Sequence, residues 1–183
     1  ANPVGGNSKS ATNTSAFYVG YGLELEKLTG IKELKGWKLI NAWSWRFGRS
    51  LTKEYIDNEF NVQQNYGGQS FLLSSLYLTY TTDSFFGDNS LMFKIGRIAA
   101  GDNFMTKPLY WLYQNNAFDG NPVGAFKQTR LSAFPGSAWG AMAQITDSQG
   151  LYLKAGVYQI NTEKQDSLNM HGLDWSFRGD GVN

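Results

Sequence analysis

The chain of 183 residues has no cysteine, a single histidine and four prolines. Without cysteine there is no disulfide framework and no thiolate metal site, and cysteine usage leaves the compartment open. His171, in a polar stretch, cannot alone supply the converging ligands of a zinc site. A Ser-His-acid triad would have to use it without any G-x-S-x-G elbow upstream. Neither a P-loop nor a G-x-G-x-x-G is present, so no motif implies a cofactor. Charge is scarce and balanced: 16 basic against 15 acidic residues leave +1, which argues against a nucleic-acid binder. Long apolar runs are missing too, which excludes a transmembrane helix. It does not exclude a membrane β-barrel, whose strands place apolar residues at every second position.

What is abundant is aromatic residues (12 Phe, 10 Tyr, 6 Trp) and glycine, at 21. Their pattern is mostly period 2. After a polar segment over 1–15, expected to be a flexible terminus, AFYVGYGLELEKL sets Phe17, Val19, Tyr21, Leu23 and Leu25 on one face. Tyr18, Gly20, Gly22, Glu24 and Glu26 fall on the other, as side chains alternate along a strand. Continued as strand, this would set Glu24 and Glu26 ~7 Å apart, a spacing compatible with a glycosidase carboxylate pair but common on any wet strand face.

In WKLINAWSWRFGR, Trp37, Leu39, Trp43, Trp45 and Phe47 share a face interrupted by Asn41. After a polar excursion over 50–68, a third strand is expected from Gln69 to Tyr80, with Leu72, Leu76, Leu78 and Tyr80 on one side. LMFKIGRIAA opposes Leu91, Phe93 and Ile95 to Met92, Lys94 and Gly96. WGAMAQIT and LYLKAGVYQI are joined by the turn Asp147-Ser148-Gln149-Gly150, and LDWSFRGDGVN leads toward a seventh strand.

Between these strands, short turns alternate with long connections at 50–68 and 99–137. Outer-membrane barrels alternate periplasmic turns and external loops in the same way. A soluble β-sandwich shares the period-2 pattern, with one face buried, and the pattern alone leaves both open. Lys38, Arg46, Lys94 and Lys154 lie opposite apolar stripes, which puts them in a barrel lumen or on a wet surface. The segment 99–137 lacks periodicity and exceeds the ~12–15 residues usual for a structureless loop, a mark of function. It combines Asp102, Asn103, Gln114, Asn115, Asn116, Asp119 and Asn121 with Tyr110, Trp111 and Tyr113. Amides and carboxylates beside aromatic platforms suit the hydroxyl rim and C–H faces of a sugar, although each aromatic could equally anchor the loop to the wall.

The series FGRSL, NVQQNYGGQS, KIGRIAAGDNFMTKPLYWLYQNNAFDGNPVG, AFPGSAWGAM and LYLKAGVYQINT resembles, in order, the carbohydrate-selective porin family of Gram-negative outer membranes, the OprB-like porins. The resemblance implies an all-β fold, a sixteen-stranded transmembrane antiparallel barrel to which residues 16–183 contribute about the first six to eight strands. It implies a channel, not an enzyme, for passive, selective diffusion of mono- or small oligosaccharides, with 99–137 folded inward as the constriction loop. Carried over by position, Arg46, Lys94 and Arg97 become basic wall residues. Asp102, Asn103, Asn115, Asn116 and Asn121 join Arg97 in solute contact, and Trp111 serves as a stacking platform. The implied partners are sugars, outer-membrane lipid and the remaining half of the barrel, with the barrel either monomeric or joined by further copies in a homo-oligomer such as a trimer.

Two departures stand out. Family members are about twice this length, and many carry two cysteines in the constriction loop; this chain has none, so its loop must be held by packing. Two other readings use the same residues: a soluble carbohydrate-binding β-sandwich, and a closed eight-stranded structural barrel of the outer membrane.

Overall fold

Each strand of the computed structural model pairs with the next in sequence. The strands are β1 (Thr14–Glu24), β2 (Trp37–Gly48), β3 (Ser70–Phe85), β4 (Asn89–Ile98), β5 (Ala138–Thr146), β6 (Tyr152–Ile160) and the short β7 (Gly181–Val182). Together they make one seven-stranded sheet in the order β1 to β7, with every pairing antiparallel. The structure describes residues 6–58, 61–63, 65, 70–106, 112–115, 117, 129–160, 172–173, 175 and 181–182. Among these, β1 pairs only with β2 and β7 only with β6. The sheet is therefore a single open layer, neither the packed pair of sheets of a sandwich nor a closed eight-stranded barrel.

Register fixes the faces. Phe17 lies opposite Trp45, Val19 opposite Trp43 and Leu23 opposite Leu39; further along, Tyr80 faces Phe93, and Ile145 faces both Leu91 and Leu153. Among the described residues nothing covers much of this apolar face: Phe17 is 57% exposed, Val19 65% and Leu153 75%. An uncovered apolar face of this extent needs an apolar medium. Aromatic pairs flank it at two levels. Trp37 meets Tyr80 at 5.2 Å, and Trp43 stacks on Phe71 at 5.2 Å. Trp37 and Phe47 are ~33 Å apart along β2 by strand rise, or ~25 Å after a ~40° tilt, the height of the apolar band of an outer-membrane barrel.

The structure departs from the sequence pattern in three places. β1 stops at Glu24, and Leu25–Thr29 form a short helix, α1. Glu24 pairs with Lys38 as the last step of the β1–β2 ladder, and Trp37, the next residue of β2, pairs only with Tyr80 of β3. The turn closes instead through a Glu24–Lys27 ion pair of 2.6 Å, and Gly30, at φ 74°, ends the helix by donating to the Glu26 carbonyl. Glu24 and Glu26 therefore do not share a strand face. At the other end, β1 begins at Thr14, so Thr14 and Ser15 belong to the sheet.

β3 runs five residues beyond Tyr80, to Phe85, and carries a bulge. Ala42 faces Ser75 but Trp43 faces Leu73, leaving Ser74 as the extra residue. The bulge reverses parity. Phe71 and Leu73 join the face of Leu76, while Leu72 turns to the opposite face, across from Ser44.

The polar face carries the inner packing. The segment 99–137 opens with a five-residue helix, α2 (Ala100–Phe104), set against it. Ile98, Ala100, Met142 and Tyr158 form a buried cluster, with Tyr77, Met92 and Leu131 packed around it.

Gly96 is where β4 approaches β3 most closely. At φ 138°, a Cβ there would meet the Leu76 carbonyl oxygen at 2.5 Å and Tyr77 Cα at 2.7 Å. Gly22 is different, since its Cβ would meet only the movable tip of Ile40. Gly96→Ala should cost about 1–3 kcal/mol and Gly22→Ala less than about 0.5 kcal/mol, read from denaturant unfolding in detergent. Val19→Arg, on the uncovered face, should cost about 2–4 kcal/mol when unfolding is measured in lipid vesicles. A neutral Val19→Arg would mean that this face does not meet lipid.

Candidate functional site

The long connections 49–69, 99–137 and 161–180 all leave one end of the sheet, and the shorter ones at 25–36, 86–88 and 147–151 leave the other. At the long-loop end, the base of the 99–137 segment is tied to the polar face by hydrogen bonds through Asn103. Lys94 Nζ, from β4, donates to Asn103 Oδ1 at 2.8 Å, and Lys154 Nζ, from β6, donates to the Asn103 carbonyl at 2.7 Å. Asn103 Nδ2 donates to the Ala99 carbonyl at 2.9 Å. One buried residue, through its side chain to Lys94 and its backbone carbonyl to Lys154, thus joins two strands to the first turn of the loop.

The aromatic residues complete this corner. Lys94 Nζ sits 5.5 Å from the Tyr77 ring, and Lys154 Nζ sits 5.2 Å from Tyr152 and 5.9 Å from Phe104. Phe104 packs edge-on against Tyr158 at 5.9 Å. Asp102 is exposed, and Lys94 lies in the field of both Asp102 and Lys154. The result is a mixed-charge ledge carrying two ammonium groups, a carboxylate, an amide and aromatic edges. Such a ledge can bond solute hydroxyls without a large net field.

The return arm of the loop is tied down as firmly. Ser132 Oγ accepts from Ala100 N at 3.1 Å and donates to the Ile98 carbonyl at 3.2 Å, and Gly101 N donates to the Ser132 carbonyl. Phe134 reaches across to β1, where its ring lies 5.3 Å from Tyr18. The Arg46 guanidinium is held 5.8 Å from both ring centroids and donates to Tyr18 Oη at 3.0 Å.

The structure therefore gathers Lys94, Asp102 and Asn103 in one place and uses Arg46 as a strut under the return arm. Arg97 lies apart from them. By register it follows Leu91, Phe93 and Ile95, opposite Leu76 and Trp139, on the other parity from Lys94. Its guanidinium donates to the Ser137 carbonyl at 2.7 Å and to Ser137 Oγ at 3.4 Å. Asn115 Oδ1 caps a local turn by accepting from Ala117 N. Trp111, Asn116 and Asn121 lie outside the described residues, as do Tyr110, Asp119 and His171. Site-specific reasoning from sequence overlooked Tyr77, Phe104, Ser132 and Phe134. Lys154 was legible, standing on the polar face of its strand like Lys94.

Ser132→Ala should expose the loop base, because the buried Ala100 N–H loses its acceptor at a cost of about 1–3 kcal/mol. Asn103→Leu should do the same by stranding the Lys94 ammonium, whereas Asn103→Asp keeps an acceptor. Limited proteolysis of the folded protein in detergent should cut within 99–137 faster in the first two variants than in the third. Equal cleavage of all three would show that these bonds do not hold the loop.

Comparison with known proteins agrees with this architecture. Nothing among curated proteins matches the chain. Among solved structures, Pseudomonas putida OprB, determined at high pH, superposes with a TM-score of 0.80 at 25% identity. The superposition covers 97% of this chain and 42% of that one, so the chain spans less than half the length of its structural neighbour. Residues 8–183 match the family model described as carbohydrate-selective porin, OprB family. On that match the chain belongs to the OprB family of carbohydrate-selective porins, outer-membrane proteins of Gram-negative bacteria.

Proposed function

We propose that the chain forms wall and constriction of a channel that passes mono- or small oligosaccharides across the outer membrane by selective passive diffusion, without catalysis. The observation that carries this reading is the loop tethered to the polar face of a sheet whose opposite face is apolar and uncovered. Lys94 and Lys154 hold Asn103 there, which narrows the space in front of the wall. Family membership supports the same reading. The two free sheet edges would be covered by further strands of the same barrel, since an unpaired strand edge cannot stand in hydrocarbon.

Within this channel, Lys94, Asp102, Asn103 and Lys154 form the solute-facing ledge, with Asn115, Asn116, Asn121 and Trp111 contributed by the rest of the loop. Arg46 and Arg97 act through the loop segments that they brace.

The intact porin in liposomes should let neutral hexoses cause isotonic swelling. In a KCl gradient its reversal potential should shift toward cation preference when Lys94 and Lys154 are both replaced by Ala, because two fixed positive charges leave the lumen. A protein that stays monodisperse in detergent-free buffer and swells no liposomes would overturn the channel reading. An unmoved reversal potential would remove the two lysines from the pore.

A further inference from the structure

At the long-loop end the segment before β1, the β2–β3 connection and the constriction segment meet around a cavity of about 310 Å³. Its walls are Thr12, Asn13, Thr14, Gln63, Asn65 and Gln114. Among the described residues every lining side chain is a hydroxyl or a carboxamide, and none is charged or aromatic. The cavity is thus chemically unlike the charged ledge at Lys94 and Lys154. It lies beside the end of the first hairpin, where Thr14 pairs with Gly48.

Its most constrained wall residue is Gln63. The Gln63 Oε1 atom accepts from Leu51 N at 3.0 Å and from Thr12 Oγ1 at 3.2 Å. With the oxygen held on both, the orientation of the carboxamide is fixed, and its two N–H donors are directed away from those partners. Thr12 in turn is drawn against the β2–β3 connection, and the backbone is fastened nearby where Arg49 N donates to the Asn13 carbonyl at 3.1 Å. The Gln63 carboxamide and the Thr12 hydroxyl are thus pre-arranged beside the ends of β1 and β2.

We propose that this cavity is a low-affinity docking site for a neutral sugar at the outer mouth of the channel, upstream of the constriction. The inference rests on the channel reading above and adds a second solute site to it. Carboxamides and hydroxyls both donate and accept, which matches the alternating demands of a ring of sugar hydroxyls. The described lining carries no charge that would favour acidic or phosphorylated solutes. The volume stands at the lower end of the ~300–1,000 Å³ range of small-molecule sites, which suits one sugar ring rather than a chain. Hydroxyl and carboxamide hydrogen bonds that compete with water make a weak site, as a channel requires: a solute must be held well enough to enter and loosely enough to leave. Gln114 belongs to the constriction segment, so a sugar docked here touches the loop that it passes next.

The test uses the intact porin in planar bilayers, with D-glucose added on the long-loop side and the fall in KCl current followed against concentration. Asn65→Leu combined with Gln114→Leu should raise the half-saturating glucose concentration about fivefold or more through two lost hydrogen bonds. The sugar-free KCl conductance should stay within about twofold of the parent. If the leucine pair closes the pore, Asn65→Ser and Gln114→Ser singly carry the test, each expected to raise half-saturation about twofold. Unchanged half-saturation, in a parent porin that binds and passes glucose, would overturn the docking site and leave the channel standing. A parent porin that neither binds nor passes glucose would overturn the channel reading itself, and the docking site with it.

Discussion

The antiparallel ladder is the constraint from which the rest of this structure follows. In a hydrocarbon medium every backbone N–H and C=O must find its partner within the protein. Strand pairing therefore cannot lapse across the band where β1 to β6 meet lipid, and side chains have only two directions available. The sequence meets this by giving one parity almost wholly to apolar residues, from Phe17 opposite Trp45 to Ile145 opposite Leu153. The other parity is then free for polar groups and for a loop that folds onto them.

The same constraint explains where the ladder is irregular. Ser74 bulges and Gly96 adopts a positive φ at the long-loop end, where β3 extends past the end of β4 and the loop base comes in. A bulge re-aims the side chains beyond it. Here it sends Leu72 inward, and Leu72 is buried at 4% exposure. Gly172 occupies the remaining gap, so close to the Leu73 backbone that a Cβ would collide with it. The regular part of the sheet thus answers to the membrane, while the irregularities lie toward its two ends, at Ser74 beside the loop and between Thr82 and Phe85 beside the short turn.

Strand existence and facing were legible from residue order because period 2 is written directly into the side chains of β1, β2, β4, β5 and β6. The helix at Leu25–Thr29 was not, since Leu25 keeps the apolar parity while the chain turns away from β2 into a helix that Gly30 ends. The parity of Leu72 was hidden for a similar reason: a single inserted residue leaves no compositional mark. In the site, Lys94 stood out as a cation opposite an apolar stripe. Arg97 was grouped with Lys94 as a basic wall residue by resemblance, whereas its register sets it on the apolar parity. The role of Ser132 depends on contacts more than thirty residues apart in sequence, to Ala100 N and the Ile98 carbonyl, and no local pattern encodes these.

Loop anchoring without cysteine has a consequence for how the channel can be tuned. A disulfide would hold the loop by one bond of fixed geometry, indifferent to the lumen. Here the loop is held by the same lysines that we propose to face the solute, so in that reading anchoring and selectivity share atoms. Lys94 spends one of its three donors on Asn103 Oδ1 and rests against Tyr77. Any substitution that frees the ammonium for solute also loosens the constriction, and any that neutralises it removes an anchor. A change in selectivity is more easily made where the wall does not bear the loop, at residues such as Thr79 and Gln144 on the same face, than at the lysines themselves.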